Sequence, residues 1–158
     1  ALGGRLFAGG GQAGAIGSML AGAAQQLIDT ASLHQLEAQI TAAGLSPQVL
    51  YDAAALNAAT QAVLDDWLAQ AAVTIATACV NAHALLHPQA IVIDTSLSEP
   101  LRAQLVTAVQ TATQQLDTRG LAQIIIAQGT AGVAARAKGS GIAPFQAHFA
   151  VDAPANRR

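Results

Sequence analysis

Residues 90–94 read Ala90-Ile91-Val92-Ile93-Asp94, a β-branched apolar run with His87-Pro88 before it and Ser98-Glu99-Pro100 after it. The run is too short for a helix and shows no polar alternation, so it suits a strand buried in a parallel sheet. A second run of the same kind is Gln123–Ala127, QIIIA. Between them Ser98 is an N-cap and Pro100 a first-turn residue, which predicts a helix from there to about Leu116. Strand, helix, strand in that order is the grammar of an α/β chain with helices packed over a small, mostly parallel sheet.

Outward from this unit the signals are mostly helical. Residues 58–86 place Val63, Leu64, Trp67, Leu68, Ala71, Ile75, Ala78, Cys79, Ala82 and Leu86 at three- and four-residue spacings, predicting one long helix that stops at His87-Pro88. Upstream, Ser32 caps a helix with Leu33, Leu36 and Ile40 on its apolar side and Gly44 as its stop. Ser46-Pro47 restarts a helix carrying Val49, Leu50 and Leu56. Residues 4–8 read as a strand. Residues 9–30 read as a glycine and alanine loop, partly helical near Gln25–Ile28. After the second run, Gly129–Lys138 turns into a helix that Gly139–Gly141 interrupts, and a last helical piece spans Ala143–Phe149. The expected division is one domain over 1–151 and a polar tail over 152–158.

Composition narrows the function. The 158 residues suffice for one domain with a real core. Apolar residues make up 53% and charged residues 10%, and much of the apolar excess is alanine, which suits close helix packing. No uninterrupted apolar run reaches roughly 18 residues, so no membrane partner is expected. Only Arg157-Arg158 are adjacent among seven basic residues, and the net charge is −2, so no basic patch is on offer to nucleic acid phosphates. The single cysteine, Cys79, permits no internal disulfide and fits a reducing, cytoplasmic setting. The chain begins at Ala1 without Met, and an upstream segment is expected.

Gly3–Met19, GGRLFAGGGQAGAIGSM, holds seven of the fourteen glycines and lets backbone approach backbone or ligand closely. Within it, Gly11-Gln12-Ala13-Gly14-Ala15-Ile16-Gly17-Ser18-Met19 resembles the G-x-x-G-x-A-G-E-I-G-H motif of the ROK family of repressors and sugar kinases. The glycine frame of Gly11, Gly14 and Gly17 is kept, while Ala15 and Ser18 stand in the places of the Glu and His. Asn81–Ile93 resembles the family's N-L-L-D-P-E-x-I-V-L passage, and Gln128–Ser140 its closing G-x-x-A-x-A-x-G-A-A helix. The wording AGAIGSM followed by Gln26–Leu33 is most similar to the transcriptional regulators of that family. The resemblance implies an actin-like, ribonuclease-H-like fold, of which this chain would be the C-terminal lobe, incomplete at its start. An open sheet edge is then expected unless another chain covers it.

The resemblance also sets expectations for the site. Family kinases hold sugar through the Glu and His of the motif and a further Glu, and bind a structural zinc with that His and three cysteines. Zinc of this type needs several soft ligands, and they are not in this sequence, so no zinc, no other metal and no cofactor is expected. His83 and His87 lie four apart, a metal-binding spacing on a helix, but no third ligand accompanies them. If Ala31-Ser32-Leu33-His34 takes the place of G-C-L-E, His34 stands where the third sugar ligand would be, Ser18 offers a hydroxyl, and Glu37 shares the face of His34. In the plainer alternative Ser18 satisfies nearby backbone, His34 is an exposed first-turn residue and Glu37 a solvated one.

The family's nucleotide-loop glycines fall on Asp94, Thr95 and Ser96, which adds side chains and a negative charge where phosphates are expected. Asp94 is expected to cap the turn that follows it. Gly129-Thr130-Ala131-Gly132 precedes a helix and is a candidate anion site, with close packing as the alternative explanation of its glycines. The family's catalytic Asp belongs to the other lobe, so no catalytic residue is assigned.

Together these imply the effector-sensing and dimerisation lobe of a ROK-type transcriptional regulator, catalytically silent. It would respond to a sugar or sugar derivative, form a homodimer or higher oligomer through alanine-rich helices such as Trp67–Leu86, and reach DNA only through a further N-terminal domain. A divergent sugar kinase and a pseudo-kinase scaffold are the rival readings.

Overall fold

In a computed structural model of the chain, residues 14–52, 54, 56–134 and 137–142 are described. The expected strand at 4–8, Gly11, the helical piece at 143–149 and the tail at 152–158 lie outside them. The helices are α1 (Leu27–Ala31), α2 (Leu33–Ala42), α3 (Ala58–Leu86) and α4 (Glu99–Gln114), and the strands are β1 (Ile91–Ile93) and β2 (Ile126–Gln128). Single 3₁₀ turns occupy Ile16–Ser18, Pro47–Leu50 and Gly132–Ala134, and residues 137–142 are helical. The chain is therefore helix-rich α/β.

Helix α3 is the axis of the domain, and α1, α2 and α4 pack against it. It starts where Asn57 Oδ1 accepts the Thr60 backbone N–H at 2.9 Å, satisfying one of the free donors of a helix start. It stops at His87, which takes a left-handed conformation (φ 42°) ahead of Pro88. Leu64, Trp67, Leu68, Ala71, Ala72, Ala76 and Cys79 are buried along it. They join Leu36, Ile40, Leu50, Leu97, Leu101, Leu105, Val109 and Ile126 in one core. The helix has the length and composition of a membrane-spanning one; Leu64, Trp67 and Leu68 fill this core, while Val73 midway along it is 51% exposed. The covering ends near its C-terminus, where Leu85 and Leu86 are 81% and 55% exposed.

The two strands pair in parallel with Ile91 opposite Ile126, Val92 opposite Ala127 and Ile93 opposite Gln128. Helix α4 connects them and is tied to β2 by Gln110 Nε2, which donates to the Ile126 carbonyl at 2.8 Å. The pairing corrects three expectations. Strand β2 begins at Ile126, three residues after Gln123. The Ile125 carbonyl instead accepts from Ile91 N, and Gly129 N donates to the Ile93 carbonyl, so the ladder extends toward Gly129. Strand β1 is not buried on both faces, because Val92 is 62% exposed among the described residues.

Three local expectations also change. Ser46-Pro47 opens only the 3₁₀ turn Pro47–Leu50, whose Leu50 is fully buried. Ser98 precedes α4, but its hydroxyl makes no cap hydrogen bond. Gly139 and Gly141 lie inside the helical stretch 137–142 and do not interrupt it. The stop at Gly44 holds, with φ 74° in the left-handed region that favours glycine.

Cys79 sits 6% exposed on the inner side of α3, and burial pushes its thiol pKa up to about 11. The thiolate is the reactive form. At about pH 8 alkylation of the native chain is expected to run about a hundredfold slower than that of an exposed thiol. Labelling at the rate of a small free thiol would mean that the C-terminal half of α3 opens readily.

Candidate functional site

The C-terminal ends of parallel strands are where α/β sheets collect ligands, and here that end carries Asp94, Thr95 and Ser96 directly after β1. Across from them stand the turn at residues 129–133 and one face of α2. The result is an open cleft of about 650 Å³ lined by Leu33, Glu37, Tyr51, Asp94, Thr95, Ser96, Gly132 and Val133. A second hollow, of about 480 Å³, lies between the C-terminal half of α4 and residues 121–126. It contains none of the residues expected from the sequence.

Asp94 organises one wall. Its Oδ1 accepts from Arg102 Nη1 at 2.8 Å, and the carboxylate also accepts the backbone N–H groups of Ala131 (2.9 Å) and Gly132 (3.1 Å). Arg102 comes from the first turns of α4, where its side chain is 10% exposed. This corrects the expectation that Asp94 caps the turn after itself. That turn is closed by Thr95, whose hydroxyl accepts the Leu97 N–H at 3.1 Å and sends Leu97 into the core. Asp94 instead reaches across to the neighbouring strand's loop. The Gly129–Gly132 turn is thus an anion-binding arrangement of backbone amides, and the anion it holds is the chain's own carboxylate.

The same contact explains two glycines. A methyl group at Gly129 would lie 2.5 Å from Asp94 Cγ and 2.8 Å from its Oδ2. Gly132 has φ 54°, and a methyl there would meet Arg102 Nη1 at 2.8 Å. Close packing against Asp94 therefore accounts for Gly129, and a positive φ with packing against Arg102 accounts for Gly132.

Arg102 and the two amides hold the Asp94 carboxyl below its ordinary value, the Arg102 hydrogen bond acting most strongly. A carboxyl whose pKa is lower folded than unfolded adds stability above its unfolded pKa, and that stability is lost as pH falls toward the folded value. Acidification from about pH 5 downward is expected to lower the melting temperature of the native chain more steeply than that of Asp94→Asn. The variant should be the less stable of the two at neutral pH, and the two curves should converge in acid. Parallel curves at every pH would show that the Asp94 charge does not support the fold.

Glu37 organises the other wall. It lies one turn after Leu33 on α2, so both face the cleft, and it accepts a short hydrogen bond from the Tyr51 hydroxyl. That bond, burial and the Glu37 charge raise the Tyr51 pKa above its ordinary value, against a smaller opposing effect of the Ser96 hydroxyl. Tyr51 therefore stays a protonated donor, placed between Glu37 and Ser96.

Of the residues expected from the sequence, Glu37, Asp94, Thr95 and Ser96 come together here, with Gly129 packed behind Asp94. His34 does not line the cleft. It is exposed one position round α2 from Leu33, and a rotation of about 100° turns it away. Ser18 is exposed in the turn Ile16–Ser18 and is not a lining residue. Gly14 adopts φ 97° beside it, and a methyl group at Gly17 would meet Ile28 at an ordinary contact distance. The rings of His83 and His87 meet at a tilt of 53° with centroids 5.0 Å apart. Among the described residues no three of His, Cys, Asp and Glu gather as a metal-ligand group.

Two participants were not foreseen. Tyr51 is the only tyrosine in a chain with 3% aromatic residues. Arg102 falls with Leu105, Val106 and Val109 on the buried side of α4, a position where a cation requires an acidic partner. No family model matches the chain, and no curated protein or solved structure matches it.

Proposed function

We propose that the chain is the effector-sensing lobe of a ROK-type transcriptional regulator, of actin-like, ribonuclease-H-like fold. It binds a sugar or sugar derivative in the cleft and transfers no phosphate. The observation that carries this reading is the Asp94 carboxylate seated on the Ala131 and Gly132 amides. A nucleotide phosphate would have to displace that carboxylate and approach its charge. The rest of the cleft suits a polyhydroxylated ligand. Glu37 accepts, Tyr51, Thr95 and Ser96 offer hydroxyls that donate and accept, and Leu33 and Val133 supply apolar surface for C–H faces.

Signalling requires that the ligand bind two states of the protein with different affinity. Exposed Leu85, Leu86 and Val92 near the C-terminal end of α3 and on β1 support a contact with a second copy. DNA would be read by a further domain. Calorimetric titration with a panel of hexoses, with a parallel assay of ATP-dependent hexose phosphorylation by the product of the whole gene, tests the proposal. Saturable sugar binding without phosphorylation is the expected result. Phosphoryl transfer to any hexose would make the protein a sugar kinase instead.

A further inference from the structure

Resting on the reading of the cleft as a sugar site, we infer that its ligand bears a protonated amine, with the ammonium at Glu37 and hydroxyls toward Thr95 and Ser96. The two carboxylates of the cleft differ in how their charge is met. Asp94 is matched by Arg102 and by two backbone amides. Among the described residues Glu37 is met only by the neutral hydroxyl of Tyr51, which bonds to Oε1. Among the described residues no Lys or Arg lines the cleft, and the nearby Arg102 is turned onto Asp94 with its side chain 10% exposed. Among the described residues the wall therefore carries one negative charge without a cationic partner, next to hydroxyl groups and beside Leu33. A cation at Glu37 gains Coulomb energy in a partly enclosed site. A phosphorylated sugar would meet Glu37 and Asp94 with no free cation among the described lining residues to offset them. An amine-bearing polyol thus fits the charge as well as the hydroxyls, and a sugar phosphate fits only the hydroxyls.

The test titrates the 158-residue chain with matched sets: glucose, glucosamine, N-acetylglucosamine and glucose 6-phosphate, and the corresponding galactose and mannose compounds. It is run at about pH 6.5, below the titration of such an amine. In at least one set the amino sugar is expected to bind roughly three- to tenfold tighter than its parent and its acetylated form at low salt. The advantage should shrink as salt is raised, and the phosphate should bind weakest. Glu37→Gln, whose amide oxygen can still accept from Tyr51, is expected to abolish the difference between amine and parent. If that variant does not fold, Tyr51→Phe keeps the carboxylate and should keep the amine preference. Binding of parent or phosphate equal to or tighter than the amine would overturn the inference and leave the sugar site standing. Failure of every sugar to bind would overturn the sugar site, and the inference with it.

Discussion

Trp67→Ala is expected to destabilise the chain by about 3–5 kcal/mol, lowering its melting temperature by roughly 10 °C or more. Trp67 is 2% exposed in the N-terminal half of α3, in the core shared by the long helix and α4. Removing the indole loses its transfer free energy and leaves a cavity that the surrounding helices cannot close without shifting α3 along its length. A domain of this size has only about 5–15 kcal/mol in total, so the loss is a large share. Trp67→Phe should behave differently. The indole N–H is buried with no hydrogen-bond partner among the described residues, a burden of about 1–3 kcal/mol that phenylalanine removes. That gain offsets the smaller volume of phenylalanine, so this variant is expected within about 1 kcal/mol of the native chain. Circular dichroism melts of the two variants check this, since tryptophan fluorescence is lost in both. Equal damage from both substitutions would mean that the N–H has a partner.

The second large effect is expected at Gly129. Gly129→Ala should cost about 1–3 kcal/mol, although the substitution adds one methyl group. The atoms it would meet are Asp94 Cγ at 2.5 Å and Oδ2 at 2.8 Å. They sit close to the backbone of β1 and are pinned by Arg102 and two amides, so they cannot swing aside as the tip of a free side chain would. Relief requires separating the strand ends, which breaks the bond from Gly129 N to the Ile93 carbonyl and draws Asp94 off the Ala131 and Gly132 amides. The variant should therefore lose stability and the acid sensitivity that Asp94 confers. Gly17→Ala is the control, because a methyl there meets Ile28 at an ordinary 3.5 Å and should cost well under 1 kcal/mol. Comparable losses from the two alanines would place the tight contact elsewhere.

The contrast between α3 and β2 shows what could be read from residues alone. Helix α3 was legible because its signals are local, a long apolar periodicity and a histidine before proline, while the Asn57 cap at its start was shown only by the structure. Strand β2 was read three residues early. The β-branched side chains of Ile124 and Ile125 promise strand equally well, and only the meeting of Gly129 with Ile93 and Asp94 decides which residues pair. The short Ser46-Pro47 element kept its cap and proline but not its length, since burial of Leu50 was reached within one turn.

The site divides in the same way. The segment 94–96 was reached through the family resemblance and Glu37 only through its spacing from His34 on one helix, although they are far apart in sequence. His34, adopted from the same resemblance, is turned from the cleft by its phase on α2, while Leu33 and Glu37 keep the facing positions. The partner of Asp94 was not legible from its own neighbourhood. An acid at the end of a strand can cap a turn, bind a ligand or pair across the fold. The tertiary meeting with Arg102 and the glycine turn decides it.

The most direct test of the central claim is a nuclear magnetic resonance titration that follows the backbone amides of Ala131 and Gly132 together with those of Thr95, Ser96 and Glu37. Magnesium ADP should leave the Ala131 and Gly132 amides unmoved, because the Asp94 carboxylate already occupies them, while a bound sugar should shift Thr95, Ser96 and Glu37 saturably. A saturable shift of Ala131 and Gly132 with magnesium ADP would contradict the account, since those amides would then be serving a nucleotide phosphate.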